Sequence, residues 1–174
     1  MYELCSSRNS NIECTMETSK KINCVLKTAL SFLGLNEGDG SHMRIVNLYN
    51  TLSPLPRGYH LQDEDPWCTA FIAAIGVACG LQNTLLPECS AEKMLDLYRQ
   101  RGLLYDPPQL DPRAGDLIFF DWENDGQADH VALIYSVKNG RILLVEGNAG
   151  DAVVLRALSM EERNQIRAWV RPQY

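Results

Sequence analysis

From residue 19 the apolar positions Ile22, Val25, Leu26, Ala29, Leu30 and Leu33 recur at the spacing of one helix face, and Gly34 is placed to end that helix. A second, short helix is expected through Ile45, Val46, Leu48 and Tyr49, with Ser41 as its cap. The run 71–78 is apolar nearly all round, which predicts a helix buried on every side, closed by Gly80 in a left-handed conformation. The approach to it is Asp63-Glu64-Asp65-Pro66-Trp67-Cys68, where Asp65 can cap the first turn and Pro66 suits the first helical position. A fourth helix opens at Ser90, turns Met94, Leu95, Leu97 and Tyr98 inward and closes at Gly102. Ahead of all this, residues 1–18 are polar and show no period, so a loose N-terminal arm is expected, with 19–174 as one domain.

After Gly115 the period becomes that of strands. Strands are expected over 117–120, 130–137, 141–146, 152–155 and 166–170, with a helical turn near 159–164. Helices first and an antiparallel sheet of five or six strands second make the class α+β. The hairpin at Lys138-Asn139-Gly140 carries a further expectation. With a three-residue loop, Val137 pairs with Arg141, His130 faces Asn148 and Glu146 faces Ala132. The even-numbered positions, His130, Ala132, Ile134, Leu144, Glu146 and Asn148 among them, then share one face, which is expected to rest on the Cys68 helix. A two-residue turn at Asn139-Gly140 would send Glu146 to the other face unless a bulge compensates.

Composition narrows the function classes. Of 174 residues, 45% are hydrophobic and 22% charged, enough to bury a real core. The net charge of −6 and the lack of a basic stripe argue against nucleic acid, and no apolar run is long enough to span a bilayer. Residues 1–6 lack the basic start and apolar segment of a signal peptide, so cytoplasmic synthesis is expected, with action elsewhere only after release or non-Sec export. A monomer is expected. Cys5, Cys14 and Cys24 match no zinc spacing, Cys79 sits in the apolar helix and Cys89 in a loop, and all five are expected to be free, mostly buried thiols.

Cys68 stands apart, because the first turn of a helix is where a thiol loses its proton most readily. Of the three histidines, His42 and His60 lie in polar surroundings and are expected at the solvated surface. His130 opens an apolar strand and is the candidate base. In the register above Glu146 lies beside it, and a carboxylate there would hold the imidazole's tautomer and orientation.

Four pieces of sequence carry a resemblance: Trp67-Cys68-Thr69-Ala70-Phe71, the run 112–122 from Pro112 to Trp122, Asp129-His130-Val131-Ala132-Leu133-Ile134, and Val145-Glu146-Gly147-Asn148. In this order they resemble the CHAP family, the cysteine- and histidine-dependent amidohydrolases and peptidases of the papain-like superfamily that also holds the NlpC-type peptidases. The likeness extends from about Ala29 to the C-terminal residues. It implies a papain-like, NlpC-type fold and hydrolysis of an amide bond of bacterial peptidoglycan, by an N-acetylmuramoyl-L-alanine amidase or a stem or cross-bridge endopeptidase of the phage-lysin kind. Cys68 would be the nucleophile, His130 the base, Glu146 its orienting partner and Asn148 a further polar positioner. The oxyanion would be held by the Cys68 N–H, with Gln62 or Tyr59 as second donor, while Trp67 and Trp122 wall the groove or, for Trp67, pack beneath it. Some family members bind calcium through spaced acidic residues ahead of the cysteine. Here Asp63 and Asp65 are the only candidates in a consecutive run, so no cofactor is expected. Alternatives are a papain-like hydrolase or acyltransferase with another substrate, or a binding module on the same fold. The presence of both Cys68 and His130 speaks against the last.

Overall fold

The computed structural model describes residues 6–107 and 110–174 of the chain. Helix α1 (Ser6–Ser31) buries Val25 and Ala29, and the turn that follows it buries Phe32 and runs to Gly34, whose φ is +84°. The loose arm expected over 1–18 is therefore a helix from Ser6 onward; residues 1–5, with Cys5, lie outside the described residues. The reason is cooperativity: once the second half of α1 is anchored, each residue added ahead of it gains a backbone hydrogen bond at little cost. Polar, exposed residues such as Glu13 and Glu17 suit that solvated stretch.

Helix α2 (Met43–Asn50) buries Ile45, Val46 and Tyr49. Ser41 does not cap it; its hydroxyl accepts from the Asn36 N–H at 3.0 Å, and His42 takes the N-cap position. Helix α3 (Cys68–Cys79) is buried from Cys68 through Gly76 and closes on Gly80 at φ +65°. Helix α4 (Ala91–Gln100) is capped by Ser90, whose hydroxyl accepts from the Lys93 N–H. α3 lies against α1 and α2 on one side and the sheet on the other, so it is the axis of the core.

The sheet has six antiparallel strands: β1 (Leu104–Tyr105), β2 (Leu117–Phe120), β3 (His130–Lys138), β4 (Arg141–Glu146), β5 (Val154–Ala157) and β6 (Ile166–Val170). Their spatial order is β1-β6-β2-β3-β4-β5, so β3 and its neighbours occupy the middle. The β3–β4 turn is the two-residue one. Asn139 and Gly140 have φ of +50° and +74°, and Lys138 pairs with Arg141. A bulge at Tyr135 then restores the register: Ser136 faces Leu143, but Ile134 faces Leu144 and Leu133 faces Val145. The three-residue loop is thus replaced by a tight turn plus a compensating bulge, and Glu146 stays on the His130 side.

One expectation about the faces is reversed. Leu117, Phe119, Val131, Leu133 and Val145 join the core beneath the helices. Ile118, Phe120, Ala132, Ile134, Ile142 and Leu144 form a second cluster on the far face, closed by Leu158 with Ile166 and Trp169 packed against it. The apolar even-numbered positions therefore turn away from α3, while His130, at the end of that face, still meets Cys68. Two further corrections concern polar residues. His42 is buried, with Nε2 3.2 Å from the Asp63 carbonyl and 3.1 Å from its carboxylate, whereas His60 is exposed as expected. Cys24 and Cys79 form a disulfide between α1 and the end of α3, while Cys14, Cys68 and Cys89 are free.

Candidate active site

The N-terminus of α3 is assembled from several distant parts of the chain. Cys68 is its first residue, so the amides of that turn have no acceptor inside the helix. Asp65 does not cap it: the Asp65 carboxylate accepts from the Gln62 N–H at 2.7 Å and from the Tyr59 hydroxyl at 3.0 Å, tying up its own loop. Asn148 instead holds the residue just ahead of the helix: with its amide turned oxygen toward Trp67, it accepts from the Trp67 N–H at 3.2 Å and donates to Glu37 Oε1 at 3.3 Å, which leaves the first-turn amides of α3 uncapped by a side chain. The buried Trp67 indole donates to the same Glu37 oxygen at 2.9 Å. Asn148 thus orients the residue that leads into the nucleophile's helix.

Gly147 makes this approach possible. A Cβ on Gly147 would stand 2.4 Å from Phe71 Cβ and 3.0 Å from the Trp67 ring, so only glycine lets the end of β4 touch α3. That close contact brings Glu146, its chain neighbour, to the site.

His130 opens β3 at the end of the sheet nearest Cys68. Its Nε2 lies 3.1 Å from Glu146 Oε2, and both side chains are buried, Glu146 completely. The Cys68 side chain interacts with the same ring. With Nε2 engaged by Glu146, Nδ1 is the nitrogen left to exchange a proton with sulfur. Burial pushes the imidazole toward its neutral form, but Cys68 and Glu146 outweigh it and hold its pKa up, from 6.5 to about 9. Trp122, 43% exposed, stacks on His130 with centroids 4.7 Å apart and planes at 20°, covering the ring from solvent. Its loop is shaped by Asp129, which accepts from the Trp122 and Glu123 N–H groups, and by Asp121, which accepts from Asp125 and Gly126.

Other sequence candidates go elsewhere. The Tyr59 hydroxyl donates to Asp65 and the Gln62 amide to the His60 carbonyl at 2.9 Å, which commits both proposed oxyanion donors within their own loop. Asp63 is drawn to His42 and Asp65 to Tyr59 and Gln62, so these carboxylates do not converge on a common point as a calcium ion requires. No group of three or more His, Cys, Asp or Glu placed to hold a metal occurs among the described residues. Arg156 on β5 is the residue that sequence reasoning missed. Its Nη2 is 3.0 Å and 3.2 Å from the two Glu146 oxygens, and it also pairs with Glu162. Only the pairing of β5 on β4, which sets Arg156 opposite Leu144, reveals it.

Comparison with known proteins agrees with this geometry. The chain resembles, at 19% identity and a TM-score of 0.51, an NlpC/P60 family protein from Bacillus cereus ATCC 10987, with 86% of this chain and 39% of that one covered. A protein described as similar to lipoprotein, of the NLP/P60 family, from Staphylococcus aureus subsp. aureus Mu50 matches at 18% identity and a TM-score of 0.50, with 87% and 41% covered. The chain therefore shares their fold and spans about two-fifths of their length. No curated protein matches. The CHAP domain matches residues 60–148, half of the chain, a segment that begins in the loop before Cys68 and includes His130, Glu146 and Asn148. On that match the chain belongs to the CHAP domain family, and its α+β fold is the one it shares with the NlpC/P60 proteins.

Proposed function

We propose that this chain is a cysteine amidohydrolase or endopeptidase that cleaves an amide bond of bacterial peptidoglycan through Cys68, His130 and Glu146. The observation that carries the reading is His130, buried between a thiol at a helix N-terminus and a carboxylate. Membership of the CHAP family points the chemistry at the cell wall.

In this mechanism the Cys68 proton passes to His130, and a thiolate–imidazolium pair forms. Sulfur bonds to the amide carbon, and the negative charge that develops on oxygen faces the unpaired first-turn amides of α3, the Cys68 N–H first among them. The C–N bond then breaks as His130 returns the proton to the leaving amine. Water adds to the thioester, giving a proton to His130, and the carboxylate product leaves as the thiol is restored. Glu146 fixes which ring nitrogen faces sulfur throughout. Trp122 would wall the groove on the His130 side, and the Cys24–Cys79 disulfide suits a workplace outside the reducing cytosol.

The test is mass spectrometry of purified peptidoglycan, of several chemotypes, after digestion by wild type and by Cys68→Ala. New amino termini or freed stem peptides from wild type alone are expected, and they name the bond. Identical intact fragments from both proteins would overturn the reading.

A further inference from the structure

Glu146 is a fully buried carboxylate, and such a group stays ionised only where cations and hydrogen bonds replace its water. His130 is one partner. The other is Arg156, which reaches across from β5 to touch both oxygens, at 3.0 Å and 3.2 Å. Arg156 is itself shared, since its guanidinium also meets Glu162 at 2.7 Å through two nitrogens. Glu162 is held in turn by a reciprocal pair: its N–H donates to Ser159 Oγ at 3.1 Å, and the Ser159 N–H donates to its carboxylate at 3.0 Å. A continuous line of alternating charge therefore runs from His130 through Glu146 and Arg156 to the 3-10 turn Glu162–Gln165.

We infer that Arg156 is a positioning residue for the His130–Glu146 pair: it holds the Glu146 carboxylate aimed at Nε2, and Glu162 sets how much of the guanidinium charge Glu146 receives. This rests on the thiol mechanism proposed for Cys68 and His130, but its test does not require a wall substrate.

The electrostatics give the inference a sign. Among the described residues, the charged or titratable groups facing the pair are Cys68 from α3, Arg156 from β5 and, beyond it, Glu162; the Asp129 carboxylate is turned to the amides of its own loop. Removing a neighbouring cation makes every nearby proton harder to lose, so Arg156→Gln moves the titration of the coupled site to higher pH. Removing the anion that competes for Arg156 acts the other way, so Glu162→Gln moves it to lower pH, and less far, because Glu162 lies further off. Arg156→Lys keeps the charge and leaves the titration near its wild-type position. Loss of packing alone would lower the rate at every pH and shift nothing.

The experiment is the pH dependence of Cys68 alkylation by iodoacetamide, followed by mass spectrometry of the Cys68 peptide so that Cys14 and Cys89 do not interfere. Wild type, Arg156→Gln, Arg156→Lys and Glu162→Gln are compared, beside pH–rate profiles on peptidoglycan. Expected are opposite shifts for the two neutralising variants, and a fall in kcat of about tenfold for Arg156→Gln with KM little changed. An unshifted Arg156→Gln profile, or a Glu162→Gln profile moved in the same direction, would overturn the inference. Should Arg156→Gln fail to fold by circular dichroism, Glu162→Gln decides: an unmoved profile is then the overturning result. Opposite alkylation shifts with intact peptidoglycan would leave Arg156 in this role and sink only the wall substrate.

Discussion

Gly147 is where a single atom would separate the catalytic partners. An added methyl would meet Phe71 at its Cβ and Cγ, 2.4 Å and 2.7 Å away, close to the α3 backbone and unable to swing aside. Gly147→Ala is therefore expected to cost about 1–3 kcal/mol of stability, read as a lower urea midpoint, and to slow Cys68 alkylation by displacing Glu146. An unchanged midpoint would mean that α3 and β4 are not in this contact. His130 supports a prediction of a different kind. Its pKa is raised in the folded protein, from 6.5 to about 9, so its protonated form stabilises the fold. That contribution is complete below about pH 6.5 and is lost as the pH rises through about 9. The stability gap between wild type and His130→Gln should accordingly be widest near pH 6 and narrow to a pH-independent remainder by about pH 10 in denaturant melts. A gap that widens with pH would show that the ring is held neutral.

At the scale of elements, the sequence was readable wherever one face of a segment is dry and the other wet. The inward faces of α1, α2 and α4 follow from that pattern, while α3, β2 and β3 are legible only as continuous apolar runs, and β5 (Val154–Ala157) lies two residues beyond the strand expected over 152–155. The pattern has nothing to say where both faces are dry. In β2 and β3, Leu117, Phe119, Val131 and Leu133 are buried on one side, and Ile118, Phe120, Ala132 and Ile134 on the other. Alternation therefore could not reveal which set meets α3. The register was equally ambiguous, because the twist of the tight Asn139-Gly140 turn and the need to keep Glu146 with His130 demand pairings one residue apart. The Tyr135 bulge reconciles them. Arg156 and the Asn148–Trp67 contact were illegible for a related reason: each exists only after strands or loops distant in sequence are paired. The turn itself is testable. Gly140→Val forces a branched side chain into φ +74° and should destabilise the hairpin by roughly 1–3 kcal/mol, as a lower urea midpoint reports, without changing which residues flank Cys68.

For the whole molecule, the covalent link between α1 and α3 sets how far the first helix can come away. α1 and the turn that ends it contribute Val25, Ala29 and Phe32 to the core, with Phe32 edge-on against Phe71 at 6.3 Å, and Thr18 on α1 reaches Tyr174. The Cys24–Cys79 disulfide closes a separation of 55 residues, a loop for which the chain-entropy model gives about 4 kcal/mol of stabilisation. Against a total of about 5–15 kcal/mol for an ordinary domain, that is enough to matter. The bond also lies at the opposite end of α3 from Cys68, about 17 Å along the axis, so breaking it loosens the scaffold without touching the reacting groups. Reduction by a phosphine, or the double substitution of Cys24 and Cys79 by Ser, should therefore lower the urea midpoint markedly while leaving Cys68 alkylation in the native state within about twofold of the oxidised protein. Peptide mapping without reductant should recover the Cys24 and Cys79 peptides joined. An oxidised protein no more stable than the reduced one would show that α1 is held by packing alone, and a loss of Cys68 reactivity on reduction would show that α1 takes part in shaping the site.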